Sequence, residues 1–282
     1  MSDIVTIDIN CGIADVRLNR PEKYNALSGD MFNAIIEAGE SLASAKDVRA
    51  VVLSGNGPGF CAGLDFDSFQ GMADAAESGG DVGSGLLQRD ERPENHAQRP
   101  AYIWKTLPMP VIAAVHGVAY GGGCQIALGA DIRIASPDAK FSVMEIKWGI
   151  IPDMSITQTL RDVVRLDVAK ELTFTGRIVN AVEAERIGLV SHLAEDPLAT
   201  AKALAAEIGG RNPHAARAGK QLYEESWHGE SRTGLSLEAT LQKGLLGSEN
   251  QIEAVHANFE KRAPVFKDPQ CCLLYTSDAA DE

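Results

Sequence analysis

Several features that point to particular protein classes are missing from this chain of 282 residues. No apolar run is long enough to cross a bilayer, and the first residues have neither the basic flank nor the apolar stretch of a secretory signal. Clusters of Lys and Arg are also missing, and the formal net charge is −13. Because nucleic-acid binding depends on grouped basic residues, we expect no nucleic-acid partner. The missing apolar runs and signal lead us to expect a cytoplasmic enzyme with no membrane partner.

Familiar catalytic and metal-binding motifs are absent as well. The chain has no Gly-x-Ser-x-Gly elbow, no His-Glu-x-x-His pair and no Cys-x-x-Cys set, and its six histidines are scattered. We therefore expect no metal. Cys61 and Cys124 have no obvious histidine partner, which favours core packing over a nucleophilic role.

The last eleven residues, 272–282, resemble an in-frame translation of a sequencing-library adaptor, and we expect them to lie outside the folded unit. A genuine acidic tail is the alternative, which the source DNA would decide. Without this stretch the formal charge changes from −13 to −10. Without the adjoining cysteine as well, three unpaired cysteines remain, and they argue against a disulfide scaffold.

Two glycine-bearing segments are the most informative part of the sequence. Residues 60–65 (Phe-Cys-Ala-Gly-Leu-Asp) follow the apolar run 50–54, and residues 116–125 (His-Gly-Val-Ala-Tyr-Gly-Gly-Gly-Cys-Gln) follow the run 111–115. Each run predicts a buried strand, so each loop leaves a strand end where backbone N–H groups become free. A helix beginning at 121–123 would direct further N–H groups into the same place. Such donors suit an enolate oxygen.

The spacing of apolar residues predicts an α/β protein with a repeating strand-then-helix order. It indicates a hairpin over 5–9 and 13–18, a helix capped by Ser28, and a mostly helical region from Ser155 onward with one strand near 189–193. Between them we predict strands and helices in this order: strand 50–54, helix 97–105, strand 111–115, helix 122–129 and strand 131–135.

Two carboxylates, Glu145 and Asp153, stand eight positions apart in an apolar stretch. Gly149 and Pro152 between them disfavour a continuous helix, so the chain can turn and bring both acids to one pocket. Burial would raise the pKa of Glu145 and suit it to proton transfer near neutral pH. The alternative is structural: Glu145 pairs with a basic neighbour, and Asp153 caps a helix beginning near Ser155.

The two glycine-bearing segments resemble the signature of the enoyl-CoA hydratase and isomerase (crotonase) superfamily. Further stretches agree in order and spacing, and the resemblance covers about residues 4–268. These stretches are 19–27, 130–135, 174–177 and 184–190.

The resemblance implies a crotonase-like spiral of ββα repeats over residues 1–195 and a C-terminal helical trimerisation region over 196–268. The implied assembly is a homotrimer or a dimer of trimers. The implied substrate is an acyl-CoA thioester, with coenzyme A as part of the substrate and no further cofactor.

The same resemblance assigns the site. The backbone N–H groups of Leu64 and Gly122 would form an oxyanion hole. Several residues would lie near the coenzyme, although solvated surface charge explains the basic ones among them equally well. These residues are Lys23, Ala26, Ala62, Asp65, Lys261 and the neighbouring Arg262. The family also places residues 71–100 beside the acyl pocket, where they form either a substrate lid or a plain surface insertion.

Carried over position by position, the family's catalytic acids fall on Gln125 and Glu145. Gln125 cannot exchange a proton as a carboxylate does, although it can orient a water or hydrogen-bond a substrate. Asp153 matches an additional acid of dienoyl-CoA isomerases. We therefore expect double-bond isomerisation of an enoyl-CoA or dienoyl-CoA. A hydratase that uses Glu145 with an oriented water, and a non-catalytic acyl-CoA-binding protein, remain open.

Overall fold

A computed structural model describes residues 3–79, 87 and 91–269 of the chain. Within these residues the strands form two sheets, a larger one in the order β1-β2-β3-β4-β6-β9 and a smaller one in the order β5-β7-β8. The strands are β1 (Val5–Asn10), β2 (Ile13–Leu18), β3 (Ala50–Gly55), β4 (Val111–Val115), β5 (Val118–Tyr120), β6 (Ile132–Ala135), β7 (Lys140–Ser142), β8 (Val179–Asn180) and β9 (His192–Leu193).

Most of the helices follow strands in the chain, and the last of them form a separate C-terminal run. They are α1 (Gly29–Ala43), α2 (Phe66–Glu77), α3 (Arg99–Thr106), α4 (Gly122–Leu128), α5 (Ile156–Thr159), α6 (Leu166–Thr175), α7 (Ala181–Ile187), α8 (Pro197–Gly209), α9 (Pro213–Ser226), α10 (Ser231–Leu245) and α11 (Glu249–Glu260). Short 3₁₀ turns occur at Pro21–Lys23, Glu145–Trp148 and Leu160–Asp162. No helix among the described residues is long and apolar enough to cross a membrane.

The chain places one strand in each sheet as it winds. After β4 in the larger sheet it enters β5 in the smaller one and then α4; after β6 it enters β7. Cys61, just after β3, continues this pattern by pairing with Ala119 of β5. The predicted spiral of ββα repeats is confirmed.

The central strands β3 and β4 of the larger sheet are buried on both faces, as parallel strands require, whereas the edge strand β1 is largely exposed. Along β3, Val51 and Leu53 face the main core, while Ala50 and Val52 face the opposite side. Helix α8 covers that opposite side with small residues, so its backbone can approach the sheet closely. The strands β2, β3, β4, β6 and β9 run parallel, and their carboxyl ends therefore meet at one edge.

The segment 71–100, expected to be a substrate lid or a surface insertion, begins inside a helix: α2 extends to Glu77, and Asp65 caps its first turn by accepting from the backbone N–H of Asp67. Residues 80–86 and 88–90, on which the lid hypothesis mainly rests, lie outside the described residues, as does the 272–282 tail. One prediction about the connections was wrong. Among the described residues, the region after Ser155 holds two strands rather than one, because β8 is present as well as the expected β9.

The C-terminal segment is held against the opposite edge of the larger sheet. Arg49, which immediately precedes β3, bonds to the carboxylate of Asp268 at 2.7 Å and to the carbonyl of Phe266 at 2.9 Å. Asn250, buried on α11, donates to the carbonyl of Lys267 and accepts from its N–H. The division at 195/196 into core and helical region stays a prediction.

Asn25 fixes the loop that follows β3. Its amide donates to the carbonyls of Asn56, Gly59 and Phe60 at 2.9, 3.0 and 3.1 Å, and its oxygen accepts from the N–H of Arg20 at 2.7 Å. The side chain is fully buried, and its φ of 54° is a conformation that asparagine tolerates better than most residues.

We expect Asn25→Ala to lower the free energy of unfolding by about 3 kcal/mol, because several buried backbone groups lose their partner. Urea denaturation measures the change. Asn258→Ala is the control, since it removes an exposed amide that bonds only to a carbonyl of its own helix, and it should cost less than about 0.5 kcal/mol. Equal losses in the two variants would contradict a special role for Asn25.

Candidate active site

Two loops meet at the carboxyl edge of the larger sheet. Beyond the pairing of Cys61 with β5, the N–H of Tyr120 donates to the carbonyl of Cys61 at 3.0 Å. Leu27 lies on the other side of the first loop and bonds to the carbonyl of Gly63 at 2.8 Å and to the N–H of Asp65 at 3.1 Å. The N–H of Leu64 is left between these bonds and donates to no described residue.

Glycine is required where the loops touch. A Cβ on Gly63, whose φ is 90°, would lie 2.7 Å from the carbonyl oxygen of Tyr120, and one on Gly123 would lie 2.3 Å from that of Cys61. Gly121, at φ 52°, donates its N–H to the carbonyl of Ser142. The N–H of Gly122 opens α4 and therefore has no partner within the helix. Free amides of Leu64 and Gly122 thus stand on adjoining loops.

Glu145 lies beside the start of α4. This residue begins the 3₁₀ turn after β7, and it is only 6 % exposed. A Cβ on Gly121 would be 3.4 Å from its Oε1. Oε1 accepts a hydrogen bond from Gln125 Nε2 at 2.6 Å, whereas Oε2 is buried without a partner. One oxygen of this carboxyl is therefore held and the other is bare.

Burial raises the pKa of Glu145; hydrogen bonds from its own backbone and from Gln125 oppose this rise, and the charge of Asp153 adds a smaller upward effect. Asp153 is half-buried, and its pKa is also raised by burial. The structural alternative for these acids is wrong. Among the described residues no basic side chain pairs with Glu145, no helix N–H bonds to the carboxyl of Asp153, and Ser155 at the start of α5 makes no side-chain cap.

Gln125 was expected to orient a water or to hydrogen-bond a substrate, but both atoms of its amide bond within the chain. It is fully buried, and its Oε1 accepts from the N–H of Met154 at 2.9 Å while its Nε2 donates to Glu145. The side chain therefore links Glu145 to the residue that follows Asp153. The sequence placed Gln125 one helical turn from Gly122 but carried no signal for this link.

Most of the residues expected near the coenzyme form one patch. The N–H of Ala62 donates to the carbonyl of Tyr24 at 2.9 Å, and Lys23 and Ala26 flank that residue. Lys23 is exposed, and its charge helps to lower the pKa of Asp65. A ligand that lay against this patch would meet backbone groups, the exposed side chain of Tyr24 and one lysine.

Arg20, which sequence reasoning overlooked, braces this patch. It forms an ion pair with the buried carboxylate of Asp65 and donates to the carbonyl of Ala26 at 3.2 Å. Burial acts to raise the pKa of Asp65, but the Arg20 hydrogen bond and the N–H of Asp67 lower it below its usual range. Asp65 is therefore a fixed anion inside the loop.

Lys261 and Arg262 are not brought to this patch within the chain. Lys261 ends α11 at a φ of 53°, and its N–H bonds to Asn258 of the same helix. Arg262 pairs with Glu253 and Glu260, which satisfies its charge locally. A role for either residue in this site would need a second copy of the chain.

An aromatic pair and two cysteines also lie around the loops. Phe66 and Trp148 make an edge-to-face contact with ring centroids 5.8 Å apart, which joins the start of α2 to the turn of Glu145, and both rings are partly exposed. Burial raises the pKa of the Cys61 and Cys124 thiols to about 12, so neither is a thiolate nucleophile. No group of three possible metal ligands occurs in the part of the chain that is described.

Comparisons with known proteins agree on one family. The family model described as enoyl-CoA hydratase/isomerase matches residues 8–269. The short-chain-enoyl-CoA hydratase of Clostridium acetobutylicum is 35 % identical over 254 residues, covering 89 % of this chain and 92 % of the relative. The peroxisomal Delta(3,5)-Delta(2,4)-dienoyl-CoA isomerase of Arabidopsis thaliana is 34 % identical over 267 residues, covering 94 % and 96 %.

Solved structures give the same result. The crystal structure of an enoyl-CoA hydratase from Bacillus anthracis superimposes with a TM-score of 0.83 at 29 % sequence identity, covering 94 % of this chain and 99 % of the other.

The environment of Glu145 predicts how stability depends on pH. Because its pKa is higher in the folded chain than the ordinary 4.5, the folded state disfavours the ionised carboxyl. Its contribution to stability is therefore greatest below the ordinary value and declines as pH rises through the folded-state pKa. Glu145→Gln removes this decline, and its melting temperature should rise relative to the native protein between about pH 4.5 and pH 8.

Thermal denaturation across that range measures the difference. Glu207→Gln is the control because it removes an exposed carboxyl from an acidic chain. A rise of equal size in the control would mean that net charge, rather than the burial of Glu145, causes the effect.

Proposed function

The chain belongs to the enoyl-CoA hydratase/isomerase (crotonase) family of enzymes, and within that family we propose that it moves a double bond along an enoyl-CoA or dienoyl-CoA thioester. The observation that carries the proposal is a pair of acids, Glu145 and Asp153, beside two free backbone amides. Both acids have a raised pKa, and the charge of Asp153 acts on Glu145.

In the proposed reaction the N–H groups of Leu64 and Gly122 hold the thioester oxygen. Glu145 Oε2 removes a proton from C2, and the electron pair moves into a dienolate whose negative oxygen the two amides stabilise. Asp153, protonated in the reacting state, then delivers its proton to C4, or to C6 of a dienoyl chain, and the C2–C3 double bond forms. After product release Glu145 loses its proton to solvent and Asp153 takes one up, which restores both acids. One proton leaves carbon and one returns, so the reaction consumes no water and needs no added cofactor.

Proton transfer by both acids depends on their pKa values. A buried carboxyl with a raised pKa gains and loses a proton nearer to neutral pH than an exposed one does. The N-terminus of α4 contributes little to this balance because the helix is short. Glu145 is assigned the C2 proton because its carboxyl lies against Gly121, next to the amide of Gly122.

Hydration is the second candidate, and the similarity to a protein named short-chain-enoyl-CoA hydratase favours it. In that reaction Glu145 would have to activate the water and return the proton alone, since Gln125 carries no exchangeable acid. A protein that only binds acyl-CoA is the third candidate. An unpartnered buried carboxyl oxygen is costly to keep without a chemical role, which argues against it.

We also propose a homotrimer or a dimer of trimers. Large apolar side chains are exposed on α9 and immediately after it, on α10 and at the end of α11, and burial against other copies would remove them from water. They include Tyr223, Trp227, Leu235 and Phe259, of which Phe259 is 84 % exposed. Sedimentation equilibrium tests this assembly against the mass of the 30.1 kDa chain; a monomer at micromolar concentration would contradict it.

Solvent-deuterium exchange and product analysis with saturated, 2-enoyl, 3-enoyl and dienoyl thioesters test the reaction. We expect the native protein to convert 3-enoyl or 3,5-dienoyl thioesters to conjugated products. Glu145→Gln should slow C2 exchange by about 10²–10⁴-fold, the usual contribution of a general base. Asp153→Asn should retain C2 exchange but lose formation of the isomerised product.

Asp167→Asn is the control, because it removes an exposed aspartate paired with Arg165, and it should behave as the native protein. If the protein instead adds water to 2-enoyl thioesters, and Asp153→Asn leaves that rate unchanged, the reaction is hydration and not isomerisation. Absence of exchange with every thioester would leave only binding.

A further inference from the structure

The hydrogen bonds of Gln125 fix the direction of its amide. The N–H of Met154 can only donate, so the atom that it meets at 2.9 Å must be the amide oxygen. The amide nitrogen therefore faces Glu145, where it lies 2.6 Å from Oε1. All of these atoms are buried, and no rotation of the amide can satisfy both neighbours in another way.

We propose that Gln125 is a positioning residue that holds Oε1 of Glu145 and leaves Oε2 as the single oxygen that exchanges protons with substrate. The inference rests on the proposed function, in which Glu145 is the base. Gln125 itself touches neither the substrate nor the reacting atoms and acts only through the carboxyl of Glu145.

The amide suits this role better than the alternatives at the same position. A carboxylate 2.6 Å from Glu145 would have to share a proton with it, so the two acids would titrate as a pair. An apolar side chain would leave the carboxylate and the N–H of Met154 without partners. A neutral amide supplies one donor and one acceptor and adds no charge.

Among the described residues, Gln125 is the side chain that stabilises the ionised form of Glu145, because the titratable groups near Glu145 do not. Asp153, when ionised, raises the pKa of Glu145. Cys124, next to Gln125, is a neutral buried thiol because burial raises its pKa to about 12. Apart from the backbone of Glu145 itself, Gln125 is the described group that favours the ionised carboxyl. Gln125 therefore controls both the direction and the basicity of Glu145.

Infrared titration of the Glu145 carboxyl tests the inference without any substrate. Difference spectra against Glu145→Gln isolate its band in the native protein and in Gln125→Met, a variant of similar volume without hydrogen bonds. We expect the apparent pKa of Glu145 to rise by about 1–2 units in Gln125→Met, because a hydrogen bond to the charged form is lost. The acidic limb of the kcat/KM profile should move by the same amount, with kcat reduced about tenfold or more and KM changed less than threefold.

Gln221→Met is the matched control. Gln221 also donates to a glutamate, Glu225, at 2.9 Å, but on the exposed side of α9, and its loss should leave the Glu145 titration and the pH profile unchanged. Gln125→Glu is the second variant, because it keeps an acceptor for Met154 should the methionine variant fail to fold. Its two carboxyls should titrate in two separated steps, where the native protein shows one.

The outcomes separate this inference from the proposed function. An unchanged Glu145 titration in Gln125→Met, or a single unshifted step in Gln125→Glu, would overturn the positioning role whatever the protein catalyses. If the titration shifts but the protein exchanges no substrate protons, the coupling between Gln125 and Glu145 stands, and the role of Glu145 as the catalytic base is rejected.

Discussion

The close approach of two backbone loops is the constraint on which the site depends. The loop after β3 and the turn that opens α4 lie so near each other that side chains at Gly63 and Gly123 would collide with carbonyl oxygens of the opposite loop. Several N–H groups of the two loops bond across this contact or to residues 24–27. The N–H groups of Leu64 and Gly122 are not among them, so these free donors are a by-product of how the neighbouring groups are paired.

The negative charge of the whole chain affects how readily the acids near those donors ionise. With a formal charge of −13, the protein gains nothing from another negative charge, and burial beside Asp153 makes ionisation of Glu145 harder still. The side chain that donates to Glu145 is the neutral amide of Gln125 rather than a lysine or arginine. A cation would hold the carboxylate permanently ionised, whereas an amide supports it while leaving protonation reversible.

The sequence predicted the parts of this arrangement that depend on local pattern. Apolar runs located β3 and β4, glycine spacing located the two loops, and Gly149 with Pro152 indicated the turn between Glu145 and Asp153. It did not predict contacts made across the fold, because nothing in residue spacing joins Arg20 to Asp65 or Gln125 to Met154. Strands as short as β8 were missed for the same reason, since Val179 and Asn180 form a strand only through their partners in β7.

The bonds from Arg49 to Phe266 and Asp268 span more than 200 positions of the chain. Closing so long a loop adds little to its equilibrium cost, which grows only with the logarithm of length. The kinetic consequence is larger, because β3 can pair with its neighbours while the chain is still being synthesised, but its amino end stays uncovered until the final helices leave the ribosome. The edge that carries the candidate site can therefore assemble before the opposite edge is closed, and a chaperone would find exposed surface at that second edge.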